Sequence, residues 1–279
     1  MLTVPSTDGV QLAVHELGGP ADAPPLLLCH ATGFHGRVWR ALADELPDRR
    51  CVALDFRGYG DSTEPRGELR WEGFGEDVLA VVDALGADGI DAVGHSKGGA
   101  ALLLAEIARP GTFRRLVCFE PIVFPSARPE GVGAPSPGNN PLAEVTRHRR
   151  QHFDSYDEAI DRFAAKPPLG SLRRDVLEDY VRHGFRPDDG RITLKARREH
   201  EAQTYETGSA HDAFAHLGEV GSRVLICHGS DGGFPAVAAP MVAAQLPESE
   251  VRPFPDLGHF GPLEDPVAFA RVVESFVSA

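Results

Sequence analysis

The feature that most constrains this chain is the stretch at residues 90–108, IDAVGHSKGGAALLLAEIA. An apolar run ends at Val93, glycines flank the Ser96 region, and an alanine- and leucine-rich run follows, which predicts a buried strand, a tight turn and a helix. Small neighbours let such a turn hold Ser96 in a strained backbone conformation, with its hydroxyl at the end of a sheet and beside the positive end of a helix. The pattern predicts a nucleophile elbow, and a plain glycine-rich turn is the alternative.

Strand and helix patterns alternate on both sides of this stretch. The apolar runs predict eight strands, at 2–5, 10–17, 26–29, 51–56, 90–93, 115–119, 223–228 and 251–254. The first two strands are joined by an Asp8-Gly9 turn, which is a good hairpin signal. Helical patterns follow most of the other strands. The predicted fold class is α/β, with a mostly parallel, doubly wound sheet of about eight strands and helices on both faces.

The pattern changes between residues 121 and 221, which are rich in proline, glycine and charge. Four polar segments there are predicted to be helical, near residues 142–152, 155–165, 171–183 and 196–208. We predict a helical cap at 121–221, inserted into a core domain made of residues 1–120 and 222–279. The basic run Arg147-His148-Arg149-Arg150 is interpreted as a solvated helix face, with a contact to an acidic substrate as the alternative.

Composition argues against several classes of protein. The 279 residues carry a net charge of −13, which disfavours a nucleic-acid or anionic-membrane surface. We expect neither a membrane span nor a signal peptide, because no apolar run reaches about 18 residues and the first residues lack a basic region before such a run. No metal or nucleotide cofactor motif is present, and the sequence leaves the oligomeric state open. The cysteines show no CxxC spacing and are expected to be buried, reduced thiols in a cytoplasmic protein: Cys29, Cys51, Cys118 and Cys227.

Polar residues follow several predicted strands at the point where each strand ends. They are the loop at 30–33, Ser96, Glu120, Asp231 and His259. In open parallel sheets, ligands bind at the carboxyl ends of the strands. These residues are therefore predicted to lie around one site for a small-molecule substrate.

Four motifs, in their order along the chain, resemble those of the α/β-hydrolase superfamily. They are His30-Ala31-Thr32-Gly33, the run DFRGYGDS at 55–62, the elbow, and Gly258-His259-Phe260 before the last helix. The resemblance covers nearly the whole chain and is nearest to capped bacterial esterase-like members. It implies a serine hydrolase with the chain order nucleophile, acid, histidine. The run at 55–62 is interpreted as a structural turn with buried hydrogen bonds.

The resemblance implies that Ser96 is the nucleophile and that His259 is the base that takes its proton. Two carboxylates compete for the role of the acid that orients His259. Asp231 follows the strand where the superfamily usually places the acid, but its turn is one residue short of the common spacing. Glu120 follows the preceding strand, where some members, including certain dehalogenases, carry the acid. We favour Glu120 slightly, because a carboxylate directly after a buried strand has no ordinary structural explanation, whereas turn chemistry alone could explain Asp231.

An oxyanion hole is implied as well, formed by the backbone N–H of Lys97 and, by resemblance, by Thr32. Ala31 replaces the common glycine of that loop, which is tolerable if the Ala31 backbone avoids a positive φ. We expect the Lys97 side chain to point toward solvent or the cap. Several aromatic residues either line an acyl pocket or belong to the core; the candidates for substrate binding are Phe34, Phe124 and Phe234, followed by Trp39, Phe153 and Phe185.

The predicted activity is hydrolysis of a small or medium carboxylic ester, thioester or lactone through an acyl-enzyme on Ser96. A serine rather than an aspartate at position 96 argues against the alkyl-enzyme route of epoxide hydrolases and haloalkane dehalogenases. Carbon–carbon bond hydrolysis, peracid formation and lyase chemistry use the same triad and stay open. A non-hydrolytic ligand-binding protein on the same fold is the alternative from another class, and it would bind a ligand without steady release of product.

Overall fold

A computed structural model describes residues 1–87, 89–125, 140–230 and 233–279 of the chain. Within these ranges the strands are β1 (Leu2–Pro5), β2 (Gln11–Gly18), β3 (Pro25–Cys29), β4 (Arg50–Leu54), β5 (Ile90–His95), β6 (Phe113–Phe119), β7 (His152–Phe153), β8 (Phe185–Asp188), β9 (Arg191–Leu194), β10 (Arg223–His228) and β11 (Ser249–Pro253). The α-helices are α1 (Arg40–Ala43), α2 (Glu72–Leu85), α3 (Lys97–Ala108), α4 (Pro141–His148), α5 (Tyr156–Ala164), α6 (Arg174–Gly184), α7 (Arg198–Glu206), α8 (Ala213–His216), α9 (Phe234–Ala243), α10 (Gly261–Glu264) and α11 (Pro266–Val277).

Eight of the strands form the main sheet, in the order β1-β2-β4-β3-β5-β6-β10-β11. β2 pairs antiparallel with β1 and with β4, and the other neighbours in the sheet pair parallel. β3 and β5 are buried at every residue, as expected for strands that are covered on both faces. The structure thus confirms the mostly parallel sheet of about eight strands. The parallel pairing brings the loops after β3, β4, β5, β6 and β10 to the same edge of the sheet.

Two glycines allow β5 and α3 to meet at a sharp turn. A Cβ added at Gly94 would lie 2.6 Å from the carbonyl carbon of Gly98. A Cβ added at Gly98 would lie 2.1 Å from the carbonyl oxygen of Cys29 at the end of β3. Real Cβ atoms essentially never approach another heavy atom closer than 3.0 Å. The elbow therefore requires glycine at both positions.

The close approach at Gly98 can be tested by adding one methyl group. We expect Gly98→Ala to lower the free energy of unfolding by about 2–3 kcal/mol, because only a shift of β3 or α3 relieves the clash with the backbone. Gly218→Ala is the matched control, since nothing lies within 4 Å of its added Cβ. Urea denaturation followed by circular dichroism measures both variants. Parental stability of Gly98→Ala would contradict the contact with Cys29.

Between β6 and β10 the chain leaves the main sheet, and we call residues 140–221 the inserted segment. Its elements are the helices α4 to α8 and a three-stranded antiparallel sheet in the order β7-β9-β8. The sequence pattern predicted helices alone in this part of the chain, which is wrong for the small sheet. Strands of two to four residues are too short to show periodicity. The available signal was the Asp189-Gly190 turn, where both residues have positive φ.

Two further expectations from composition bear on the described residues. All four cysteines are buried and free of disulfides, as predicted. In the part of the chain that the structure describes, no helix combines the length and the apolar character needed to cross a bilayer.

Candidate active site

Ser96 lies between β5 and α3 with φ 54° and ψ −114°, which is the strained conformation predicted for an elbow. Its backbone N–H donates to the carbonyl oxygen of Phe119 at 2.8 Å. Its own carbonyl oxygen accepts the N–H of Ile122 at 3.2 Å. The elbow is therefore hydrogen-bonded to the chain on both sides of Glu120.

The Glu120 carboxylate connects the ends of three strands. Glu120 directly follows β6, is completely buried and has a positive φ of 45°. Its Oε2 atom lies 2.5 Å from Nδ1 of His259, on the loop after β11, and its Oε1 atom accepts the N–H of Gly229 at 2.8 Å. Of the two acids weighed from the sequence, the structure brings Glu120 to His259. Asp231, the other candidate, lies outside the described residues.

His95, the residue before Ser96, belongs to this site, although the sequence analysis did not single it out. Its ring is completely buried, and its Nε2–H donates to the backbone oxygen of His259 at 2.8 Å. Burial lowers the pKa of His95 well below its ordinary value, so the ring is neutral. His95 thus ties the loop that carries His259 to the elbow. The sequence signal that could have identified His95 was a histidine inside a turn that a parallel sheet must bury.

The loop at 30–33 is held in place by its own histidine. The Nδ1–H of His30 donates to the carbonyl oxygen of Ala31 at 2.7 Å, and Nε2 accepts the N–H of Phe56 at 3.1 Å. Both bonds together require a neutral ring, and burial lowers the pKa of His30 well below its ordinary value. Among the described residues, Ala31 does not belong to the few non-glycine positions with positive φ, so alanine fits here as expected. Thr32 follows, nearly buried at 7 % exposure.

The Lys97 side chain is completely buried, so the expectation that it points toward solvent is wrong. Its Nζ atom lies 3.6 Å from the ring centroid of Tyr59, 4.4 Å from that of Phe56 and 4.6 Å from that of Phe74. Nζ has no hydrogen-bond partner within the described ranges. These rings are distant from Lys97 in the sequence, and no local pattern indicates the contact.

The aromatic candidates for substrate binding lie in two places. Phe34 contacts Phe260 with ring centroids 5.4 Å apart, and Phe260 in turn lies 5.2 Å from the ring of His259. The ring of Phe260 therefore links Phe34 to the candidate base, His259. Phe124 and Phe234 contact each other, with centroids 4.7 Å apart, and both are partly exposed. The other three candidates are buried residues of the core: Trp39, Phe153 and Phe185.

The basic run of the inserted segment divides between surface and interior. Arg147 and Arg150 pair with accessible glutamates, as a solvated helix face predicts. Arg149 points inward instead, with Nη2 2.5 Å from Oε2 of Glu201, whose side chain is almost completely buried. The other Glu201 oxygen lies 3.0 Å from the place of a Cβ on Gly33. The solvated-face interpretation is therefore wrong for Arg149, which pairs with Glu201 beside the loop at 30–33.

The Arg149–Glu201 pair should behave as an ion pair whose carboxylate is buried. We expect Arg149→Met to lower the free energy of unfolding by about 3 kcal/mol, because it leaves a buried carboxylate without its counter-ion. Adding Glu201→Met should recover most of this loss, since the double variant buries no charge. Arg147→Met, whose partners Glu199 and Glu206 are accessible, is the control and should cost less than about 1 kcal/mol. A urea double-mutant cycle measures the coupling, and strictly additive losses would contradict it.

A buried polar cluster underlies the turn after β4. Asp55 accepts hydrogen bonds from Nε2 of His15 at 3.0 Å and from the N–H groups of Gly36 at 2.6 Å and Asp61 at 2.8 Å. These bonds confirm the predicted structural turn. Within the described ranges, His15, Asp55 and Asp61 form the one group close enough to hold a metal ion, with ligand atoms within 4.8 Å of one another. Because Asp61 also pairs with Lys195, hydrogen bonding and ion pairing already account for the cluster.

A serine held at a strained strand-to-helix turn on a mostly parallel sheet is the defining feature of the α/β hydrolases, a class of enzymes. The family model described as the alpha/beta hydrolase family matches residues 26–272, and the chain belongs to that family. The matched range includes Ser96, Glu120 and His259.

Curated relatives extend over nearly the whole chain. The 2-hydroxy-6-oxo-2,4-heptadienoate hydrolase of Pseudomonas putida is 26 % identical and aligns over 97 % of this chain and 94 % of its own length. The pimeloyl-[acyl-carrier protein] methyl ester esterase of Aromatoleum aromaticum is 29 % identical over 91 % of this chain and 98 % of its own. Among solved structures, E-2-(acetamidomethylene)succinate hydrolase superposes with a TM-score of 0.81 at 22 % identity, covering 100 % of this chain and 99 % of that one. The last likeness shows the shared fold, and the relatives show that this chain is similar to hydrolases and esterases.

Proposed function

We propose that the protein is a serine hydrolase that cleaves a small or medium carboxylic ester, thioester or lactone through an acyl-enzyme on Ser96. The observation that carries this proposal is the 2.5 Å contact between Oε2 of Glu120 and Nδ1 of His259, whose backbone oxygen is hydrogen-bonded by His95, the residue before the serine of the strained elbow. A carboxylate in that place keeps a proton on Nδ1 and leaves Nε2 to accept another. The esterase and hydrolase names of the relatives support the same class of reaction.

In the proposed reaction, Nε2 of His259 takes the hydroxyl proton of Ser96 while Oγ attacks the carbonyl carbon of the substrate. The Glu120 carboxylate faces the imidazolium that forms and stabilises it. Gly229 holds the other oxygen of this carboxylate, and His95 holds the backbone of His259. These two bonds keep the acid and the base aligned during the proton transfer.

Negative charge then develops on the carbonyl oxygen of the substrate. The N–H of Lys97 is the first proposed donor to this oxygen, because N–H groups in the first turn of a helix lack an acceptor within the helix. Thr32, on the loop fixed by His30, is the second proposed donor. His259 next protonates the leaving group, and water activated by the same histidine releases the acid.

Carbon–carbon bond hydrolysis is the second candidate, since the Pseudomonas putida relative is named for a keto acid rather than an ester. The same three residues serve both reactions, so the products of a substrate panel separate them. A non-hydrolytic ligand-binding role differs from both, because it predicts binding without steady release of product.

Covalent labelling tests whether Ser96 is activated. We expect a fluorophosphonate to add one adduct to the parent protein and none to Ser96→Ala, because the probe reacts with a serine whose proton a base has taken. Ser278→Ala, a change at the exposed carboxyl end, should label like the parent. Intact mass spectrometry gives the result. An adduct on folded Ser96→Ala, or none on the folded parent, would refute the proposed nucleophile.

The identity of the acid is tested by two isosteric variants. Glu120→Gln should lower kcat/KM by roughly 10²- to 10⁴-fold, because an amide in this place favours the wrong tautomer of His259. Asp231→Asn, the alternative acid, should lower it by less than about ten-fold. Steady-state kinetics on a p-nitrophenyl ester measures both, with thermal melting as the control for folding. A larger loss in Asp231→Asn would exchange the two assignments.

A further inference from the structure

Lys97 combines two features that the proposed reaction uses only in part. Its backbone N–H is a proposed oxyanion donor, and its side chain ends in a completely buried amine. Burying an ammonium without a compensating partner is strongly unfavourable. A buried lysine directly after the proposed nucleophile therefore suggests a role for its amino group in the site.

Three aromatic faces take the place of water around Nζ of Lys97. The ring centroids of Tyr59, Phe56 and Phe74 lie between 3.6 and 4.6 Å from Nζ. A ring face attracts a cation within about 6 Å of its centroid, most strongly when the cation is desolvated. The cage therefore stabilises the charge without neutralising it.

The charged groups that face Lys97 are already engaged elsewhere. Among the carboxylates, Asp77 on α2 has the largest electrostatic influence on Lys97, and it pairs with Arg57 at 2.8 Å. Glu201 on α7 comes next, and it pairs with Arg149. Across the described chain, Nζ has no ion-pair or hydrogen-bond partner of its own. The remaining titratable neighbours are Cys29, His30, Asp55, Tyr59 and His200.

We propose that Lys97 keeps its proton inside this cage and is an electrostatic positioning residue whose ammonium directs a positive field at the oxyanion hole. This inference rests on the proposed reaction at Ser96. The substrate ester is neutral and the tetrahedral intermediate is anionic, so a fixed cation one side chain away stabilises the intermediate selectively. With an effective dielectric constant near 20, a unit charge roughly 8–12 Å from the developing oxyanion changes the rate by roughly ten- to thirty-fold.

The field should depend on pH in a defined direction. Burial lowers the pKa of Lys97 well below its ordinary value, so this ammonium loses its proton at a less alkaline pH than an exposed lysine does. Loss of the proton removes the field. The kcat of the parent should therefore fall as the pH rises through that value.

Two substitutions at position 97 test the charge itself, with p-nitrophenyl butyrate as substrate between pH 6 and 10. Lys97→Met fills the cage without a charge, so kcat at neutral pH should fall roughly ten- to thirty-fold, KM should change little, and the alkaline decline should disappear. Lys97→Arg keeps a charge that does not titrate in this range, so it should restore most of kcat and also lack the decline. If Lys97 had a purely structural role, its substitution would leave the alkaline decline of kcat in place. It would also not lower kcat while KM stayed unchanged.

A third variant leaves the lysine in place and weakens its cage. Phe74→Leu removes one ring, so the alkaline decline should move to lower pH while kcat at pH 6 stays within about two-fold of the parent. Lys166→Met, at an exposed lysine, is the matched control and should keep the parental profile. Thermal melting and fluorophosphonate labelling confirm that each variant is folded and assembled.

The outcomes separate this inference from the proposed function. A parent that neither labels at Ser96 nor hydrolyses the ester refutes the proposed function. A parent that labels and turns over, with an unchanged kcat or an unchanged alkaline decline in Lys97→Met, overturns the role of Lys97 alone. If neither variant at position 97 folds, the Phe74→Leu profile decides, and an unmoved decline there overturns the inference.

Discussion

The arrangement of the site depends on one buried carboxylate whose two oxygens must both find donors. Glu120 has no contact with solvent, and an unpaired carboxylate in that place would be strongly unfavourable. The donors come from Gly229, directly after β10, and from His259, on the loop after β11. β6, β10 and that loop therefore cannot shift independently without leaving a buried charge unpaired. The position of His259 at the sheet edge follows from the burial of Glu120.

Close backbone approach provides the second constraint on the same loops. A Cβ at Gly229 would lie 2.5 Å from the carbonyl oxygen of Leu257 and 2.6 Å from that of Gly258. The chain that leads to His259 thus packs directly on the end of β10, where glycine alone leaves room. His95 adds a hydrogen bond to His259 from the elbow side. The loop of the candidate base is held from two neighbouring strands, which is what a reaction that moves a proton over a fixed short distance requires.

The sheet was predictable because strands buried on both faces appear as continuous apolar runs in the sequence. The polar residues that follow these runs mark the edge at which the parallel strands end. That reasoning points to Ser96, to His259 and to two candidate acids, Glu120 and Asp231, without coordinates. It could not find the burial of Lys97 or the inward contact of Arg149, because each depends on partners that are remote in sequence. The rings around Lys97 come from the turn after β4 and from α2. The carboxylate next to Arg149 comes from α7.

Buried Arg57, partly buried Arg149 and buried Lys97 show that this chain accommodates basic side chains in its interior in two ways. Arg57 and Arg149 each have a carboxylate within ion-pair distance, so each charge is compensated locally. These ion pairs stabilise the loops next to them. Lys97 is surrounded by ring faces instead, which stabilise a cation but supply no negative charge. A methionine would fill the same space without the cost of removing an ammonium from water. A lysine one residue after the proposed nucleophile, at the positive end of α3, therefore supports the proposed role for its charge rather than a role in packing.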